Sequence, residues 1–428
     1  MNQPFDFFNY SHGILSADQI NIPTLIHEVG TPAYIYSKTA ILSRLKVLQD
    51  GLKGLDYLIC FAVKSNSNLS ILKLLSQQHV GAEIVSGGEL FRAHSANIPG
   101  HQIVFSGVGK TETEIKKALH YNGTGIYAFN VESIPELFTL NTIAMELNRH
   151  VPIALRLNPD IHPKTHPYIS TGMKKNKFGL NSVEILKIVH QLNDFPYLQL
   201  RGISMHIGSQ ILSLNPLQEA FHVLYALIQK IPFALQFVNL GGGIGITYSD
   251  EQPFQIEQYC TCIHQIFGSA IQGQKLKILI EPGRYLMGNS GILVTQILYR
   301  KERKMQDFLI VDAAMNDLIR PALYGSYHQI IPVKEKFRND PLKKTTIVGP
   351  ICESSDFLGK SRKLSIHLQK SDLLAILSAG AYGFTLSSQY NSRPRAVEVL
   401  VQDQNFFVIR KRETETHLIL GEEMHAKI

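Results

Sequence analysis

Between Lys38 and Pro282 the chain repeats one pattern: a short apolar run, a polar or glycine turn, then a stretch with helical spacing. The runs are YLICFAV ending at Val63, AEIV at Val85, QIVF at Phe105, GIYAF at Phe129, PIALRL at Leu157, GISMHI at Ile207, FVNL at Leu240 and KILI at Ile280. Strands apolar on both faces and separated by helices pair in parallel through right-handed crossovers. Eight such units predict a closed (β/α)8 barrel. An open doubly wound sheet is the competitor, but its mark, GxGxxG after the first strand, is absent.

After Ser290 the texture changes. GILVTQILY, DFLIVDAA, TTIVGPI, DLLAILSAGAY, AVEVLVQ and NFFVIRK follow one another with turns and little helix, which predicts an all-β domain. TPAYIYS (Thr31 to Ser37) reads as a strand ahead of the barrel that joins the same β domain. The expected division is 1–37 as an N-terminal segment of the β domain, 38–290 as the barrel and 291–428 as the C-terminal β domain. A chain of 428 residues is long enough for two cores.

Composition changes this picture little. Hydrophobic residues make up 44% and charged residues 18%, an ordinary globular balance. No apolar run reaches the length of a membrane span, and the N-terminus has no basic region followed by an apolar core. Four cysteines are too few for a disulfide framework, so a cytoplasmic location is expected, without a membrane partner. Cys260 and Cys262 are spaced too closely for a zinc knuckle, and no metal is expected. The net charge of +7 reads as a mildly basic enzyme surface rather than a nucleic-acid footprint. The basic run Tyr299 to Lys304 contains a glutamate and no aromatic ladder.

The strand ends carry the chemistry, because sites on such barrels lie at the C-terminal edge of the strands. Lys64 ends the first strand and Ser86 follows the second. Arg156 and Asn158 lie on the fifth, and His206 and Ser209 end the sixth. Gly241, Gly242 and Gly243 follow the seventh, and Glu281 and Arg284 end the eighth. A lysine after a strand is commonly just solvated. In a pocket, its free amine can form a Schiff base. A triple glycine is either a tight turn or a backbone cradle for a phosphate. Glu281 can pair with a protonated pyridine nitrogen or form a salt bridge to Arg284. His206 can stack on a flat ring or be a hydrogen-bonded core histidine. Lysine, phosphate cradle and carboxylate together point to pyridoxal 5'-phosphate. A class I aldolase would need the lysine but not the pyridinium partner.

These residues resemble the alanine racemase-like barrel family of pyridoxal-phosphate enzymes and, within it, the diaminopimelate decarboxylases. The motifs are FAVKSN, VSGGEL, HPYISTGMKKNKFGL, HIGSQI, NLGGGIGI, EPGRYL, DAAMNDLIRPALYG, GPICESSDFL and GAYGF. The resemblance implies decarboxylation of meso-2,6-diaminopimelate to L-lysine, with Lys64 as the Schiff-base lysine and His206 as the ring-stacking residue. It implies cofactor contacts from Ser209, Gly241 to Gly243, Glu281, Gly283, Arg284 and Tyr382. Arg284, Arg320, Tyr324 and Tyr382 would hold the substrate. Cys352 would be the proton donor and Glu353 a substrate contact, both reaching in from the other subunit of a homodimer. The family often has Ala-Asp where this chain has Ala82-Glu83, a departure that falls outside these roles.

The residues themselves support the resemblance. CESSD is too polar for a core strand, and a cysteine held near the ring can protonate a carbanion. Arginines bind carboxylates bidentately, which suits a dicarboxylic substrate. The alternatives are a decarboxylase of the same fold acting on ornithine, arginine or carboxynorspermidine, a racemase, or a non-catalytic pyridoxal-phosphate-binding relative. Arg320 and Glu353 tell against the first, the cysteine-glutamate pair, a poor replacement for the tyrosine base a racemase would carry on the β domain, against the second, and the presence of Lys64 and Cys352 against the third. The segment from His162 to Phe178 is a lid candidate or a plain surface loop.

Overall fold

Eight short strands, each followed by a helical segment, form in the order their apolar runs predict. The structure is a computed structural model describing residues 7–161, 177–271 and 273–425, so most of the lid candidate lies outside the described residues. The strands are Tyr57–Ala62, Gly81–Ile84, Ile103–Phe105, Ala128–Val131, Val151–Leu157, Leu198–Met205, Phe237–Asn239 and Lys277–Ile280. They pair in parallel, in chain order, and the last closes on the first. The barrel expectation therefore holds.

The barrel interior is a packed core. Leu58, Cys60, Val104, Ala128, Ala154, Phe237 and Leu279 form one buried cluster drawn from six of the strands. Gly202 makes room for it, since a Cβ there would lie 2.7 Å from the Phe237 ring. Helices between strands start on polar caps: Ser86 Oγ accepts the Glu89 N–H, and Ser133 Oγ that of Glu136.

The chain forms two compact units. One comprises Arg44–Ile246 and Gln252–Tyr285; the other takes the chain up to Ser43, Thr247–Glu251 and the chain from Leu286. The second unit is built on a mostly antiparallel sheet. Ala33–Ser37 lies inside it, antiparallel to Gly291–Val294 and parallel to Val397–Val401. The N-terminal strand thus joins the C-terminal β domain, as the sequence predicts. Ile35, Ile292, Val294 and Val399 share its core with Leu15, Ile22 and Leu25 from the preceding segment.

Three features were not anticipated. Phe8–Ser11, Ile14–Ala17 and Ile20–Asn21 form a small sheet of their own. Phe357–Ser365 and Ile330–Pro332 are additional strands. Phe357–Ser365 is largely polar, so its apolar periodicity is weak. Among the described residues no helix is long and apolar enough to cross a membrane.

Candidate active site

Lys64 does not continue the first strand. It sits in a single 3-10 turn, Val63–Ser65, directly after Ala62. The Ser-Asn-Ser-Asn that follows shapes this turn. Ser65 Oγ donates to Ala62 O at 2.8 Å, Asn66 Oδ1 accepts the Asn68 N–H at 3.1 Å, and Asn68 Oδ1 accepts the Ser70 N–H at 3.0 Å to open the next helix. Lys64 is therefore presented by a hydrogen-bonded corner at the strand's C-terminal end.

Its ammonium donates to both carboxylate oxygens of Glu83, at 2.7 and 3.0 Å. Glu83 is buried in the second barrel strand. Glu83, to which the family resemblance gives no role, lines the same cavity as Lys64. Ser106, Asn130, Arg156, Ser204, Met205, His206 and Glu281 complete the cavity, about 260 Å³ including the part open to solvent. A glutamate inside the apolar run of a barrel strand was the signal available. Asn130 and Asn239 carried the same signal.

Glu281 lies at the cavity's buried end. Its Oε1 accepts from Asn239 at 2.7 Å and Asn130 at 3.4 Å. Burial, reinforced by the charge of Glu83, pushes its carboxyl up to about 7, against the opposing pull of Lys64, Asn239 and Arg156. The Arg284 guanidinium donates to Ser209 Oγ at 2.9 Å. His206 is held well below its ordinary value by burial and by the cations Arg156 and Lys64. Its Nδ1 accepts the Gly242 N–H at 3.2 Å, so the neutral ring carries its proton on Nε2. Arg156 donates to Glu132 at 2.5 Å and to His206 O at 3.3 Å. Glu132 also accepts the N–H groups of Gly107 and Gly179, each at 3.1 Å. Asn158 serves the backbone, donating to Phe178 O at 3.0 Å, and Ser86 is a helix cap.

The glycine loop is required by packing. A Cβ would lie 2.2 Å from Met205 O at Gly241, 2.1 Å from Glu281 O at Gly242 and 2.3 Å from Gly208 O at Gly243. Gly241 and Gly243 also have φ of 68° and 107°. The Gly241 N–H donates to Asn239 Oδ1 at 2.9 Å. With the Gly242 amide on His206, two of the loop's three amides are engaged inside the site. A Cβ at Gly283 would meet Ala62 and Ser65 at 3.0 Å, so the eighth strand's end packs onto the lysine turn.

These residues fit a pyridoxal group. An amine, a buried carboxyl able to exchange a proton near neutrality and a neutral flat imidazole converge on one cavity. Ser204 Oγ and Asn130 Oδ1 are buried there without a hydrogen-bond partner among the described residues.

The β unit assembles a second group. Arg320 is buried, with Nε donating to His328 Nε2 and Nη2 to Tyr248 Oη and Ser326 Oγ, all at 3.3 Å. Its guanidinium lies 6.0 Å from the Tyr324 ring and 5.9 Å from that of Tyr382. Three predicted residues thus meet, and Tyr248 and His328 join them unpredicted. His328 Nδ1 donates to Leu377 O at 2.9 Å, which leaves Nε2 to accept from Arg320. Cys352 and Glu353 lie on an exposed turn of this unit.

Comparisons with known proteins agree with this geometry. Residues 38–288 match the family described as pyridoxal-dependent decarboxylase, pyridoxal binding domain. The chain is 43% identical to a diaminopimelate decarboxylase of Pseudomonas fluorescens, over 98% of this chain and 99% of the relative. It is 44% identical to one from Aquifex aeolicus, over 96% of each. The crystal structure of the diaminopimelate decarboxylase from M. jannaschii, in complex with L-lysine, covers 99% of both chains with a TM-score of 0.92 at 35% identity. With a barrel-mouth lysine, a buried carboxyl and full-length similarity of this order, the chain belongs to the diaminopimelate decarboxylases, a family of pyridoxal-phosphate-dependent carboxy-lyases.

Proposed function

We propose that the chain converts meso-2,6-diaminopimelate to L-lysine and CO2, the last step of lysine biosynthesis, with pyridoxal 5'-phosphate held at Lys64. The observation that carries this reading is Lys64 at the barrel mouth, sharing one cavity with Glu83, Glu281 and the neutral His206. When bound, the cofactor supplies an electron sink for the pair released as CO2 departs.

The chain's own residues supply the rest. Glu281 would hold or share a proton with the cofactor's ring nitrogen, which a carboxyl raised toward neutrality permits. His206 would offer the cofactor ring an uncharged imidazole to stack on. Ser209, Gly243, Gly283, Arg284 and Tyr382 would receive the phosphate side, where Gly241 and Gly242, their amides engaged by Asn239 and His206, would leave room for it. Arg320 and Tyr324, with Arg284 and Tyr382, grip the substrate's distal carboxylate; an arginine fork discriminates against ornithine, which has none. Glu353 faces a substrate ammonium. Cys352 delivers the proton from Sγ to the carbon that has lost CO2.

In this reading the barrel, residues 38–290, carries the cofactor, while the β domain, 1–37 with 291–428, carries the substrate-reading group. The protein works in the cytoplasm as a homodimer whose subunits exchange Cys352 and Glu353. Their exposure favours this, as does an adjacent hollow of about 650 Å³, including the part open to solvent, walled by Met315, Asn316, Ile319, Ser388 and Tyr390. The test is a product assay of the purified protein with the cofactor, offering meso-diaminopimelate against ornithine. Lysine and CO2 from the first substrate alone are expected. Turnover of ornithine at a comparable rate, or of neither, would refute the reading.

A further inference from the structure

The turn that presents Cys352 and Glu353 is held at two levels. At its base, buried Asp356 accepts the Met315 N–H at 2.7 Å and the Ile351 N–H at 2.8 Å. Within the turn, the Glu353 N–H donates to Ile351 O at 2.8 Å and the Asp356 N–H to Glu353 O at 3.1 Å. Gly349 allows this closeness, since a Cβ there would lie 2.4 Å from Ala314 Cβ and 2.6 Å from Asp356 Oδ2. These contacts fix the base and leave the tip exposed.

A second segment, Ser388 to Ser392, reaches the tip. Asn391 Oδ1 accepts the Cys352 N–H at 3.0 Å. Asn391 and Ser392 adopt φ of 55° and 52°, a conformation that non-glycine residues seldom take, so the segment is shaped to point these side chains. It is also anchored: the Ser388 N–H donates to Asn316 O at 2.9 Å, Gln389 to Glu413 at 2.8 Å and Arg393 to Asp312 O at 2.7 Å.

We propose that Asn391 is a positioning residue that aims the Cys352 thiol through the Cys352 backbone N–H. The inference rests on the decarboxylase reading, which makes Cys352 the proton donor. Asn391 does not need to touch the reacting atoms.

The test uses the full-length protein with the cofactor and two variants. Asn391→Gly keeps the left-handed backbone and loses the acceptor; Asn391→Asp keeps both. Asn391→Gly should lower kcat tenfold or more with KM within twofold, and Asn391→Asp should stay within threefold of wild type. In D2O the wild type should place deuterium in a single configuration at the carbon that lost CO2, whereas Asn391→Gly should give a mixture. A second readout omits the cofactor: iodoacetamide alkylation of Cys352 at pH 7, followed by peptide mapping, whose rate Asn391→Gly should change threefold or more. Asn391→Asp as impaired as Asn391→Gly, or Asn391→Gly unchanged in both kcat and alkylation, would overturn the proposal. If the wild type makes no lysine, the decarboxylase reading has failed, and the alkylation rates still decide whether Asn391 governs Cys352.

Discussion

Glu281→Gln should stabilise the cofactor-free protein at high pH while abolishing turnover. The folded protein holds the Glu281 carboxyl at about 7, against an ordinary value of 4.5. A group whose folded value is raised binds its proton more tightly in the native state. Its contribution to stability is present in full below about 4.5 and is lost as pH rises to about 7. At ~1.4 kcal/mol per unit, the difference of roughly 2.5 units corresponds to about 3 kcal/mol by pH 8. Glutamine keeps the shape and can still accept from Asn239 and Asn130, but it has no proton to lose. The variant should match wild type at pH 4.5 and exceed it by about 3 kcal/mol at pH 8, a rise in Tm of several degrees. Glu89 and Asp317 are also raised to about 7, so wild-type stability alone would not isolate the effect; the difference between wild type and variant does. The assay is thermal unfolding of both cofactor-free proteins at pH 4.5, 6 and 8. A Tm difference that does not change with pH would refute the argument.

Three other outcomes are expected. Borohydride reduction of the cofactor-loaded protein, followed by peptide mapping, should place the label on Lys64; label on another lysine would remove it from its role. Arg320→Lys keeps the charge but loses the planar fork, so KM for diaminopimelate should rise tenfold or more, since a hydrogen bond to a charged group is worth about 1.5–3 kcal/mol. An unchanged KM would take Arg320 out of the substrate site. Lys64→Ala and Cys352→Ala should each be nearly inactive, yet mixing them under conditions of subunit exchange should restore roughly a quarter of wild-type activity, because about half of the dimers are mixed and each has one intact site. Exchange confirmed by mass with no recovered activity would place both residues' work within one chain.

The barrel was legible because its strands are buried on both faces, which writes each of them as a short apolar run. Their ends were less legible. Val63 belongs to the apolar run yet forms the turn that carries Lys64, because Ser65, Asn66 and Asn68 supply local hydrogen bonds that compete with the strand. Phe357–Ser365 was hidden for the opposite reason: it pairs through its backbone with Leu342–Val348, and such pairing asks little of the side chains.

Lys64, Arg320 and Cys352 could be singled out from residue type and neighbouring motif. Which groups stand beside them could not, because those neighbours come from distant parts of the chain. Glu83 reaches Lys64 from the next strand, Asn130 reaches Glu281 from the fourth, and Tyr248 reaches Arg320 from a five-residue excursion grouped with the β unit. Charge state follows the same rule. A carboxyl near neutrality at Glu281 and an uncharged ring at His206 arise from burial and from charges that only folding brings close.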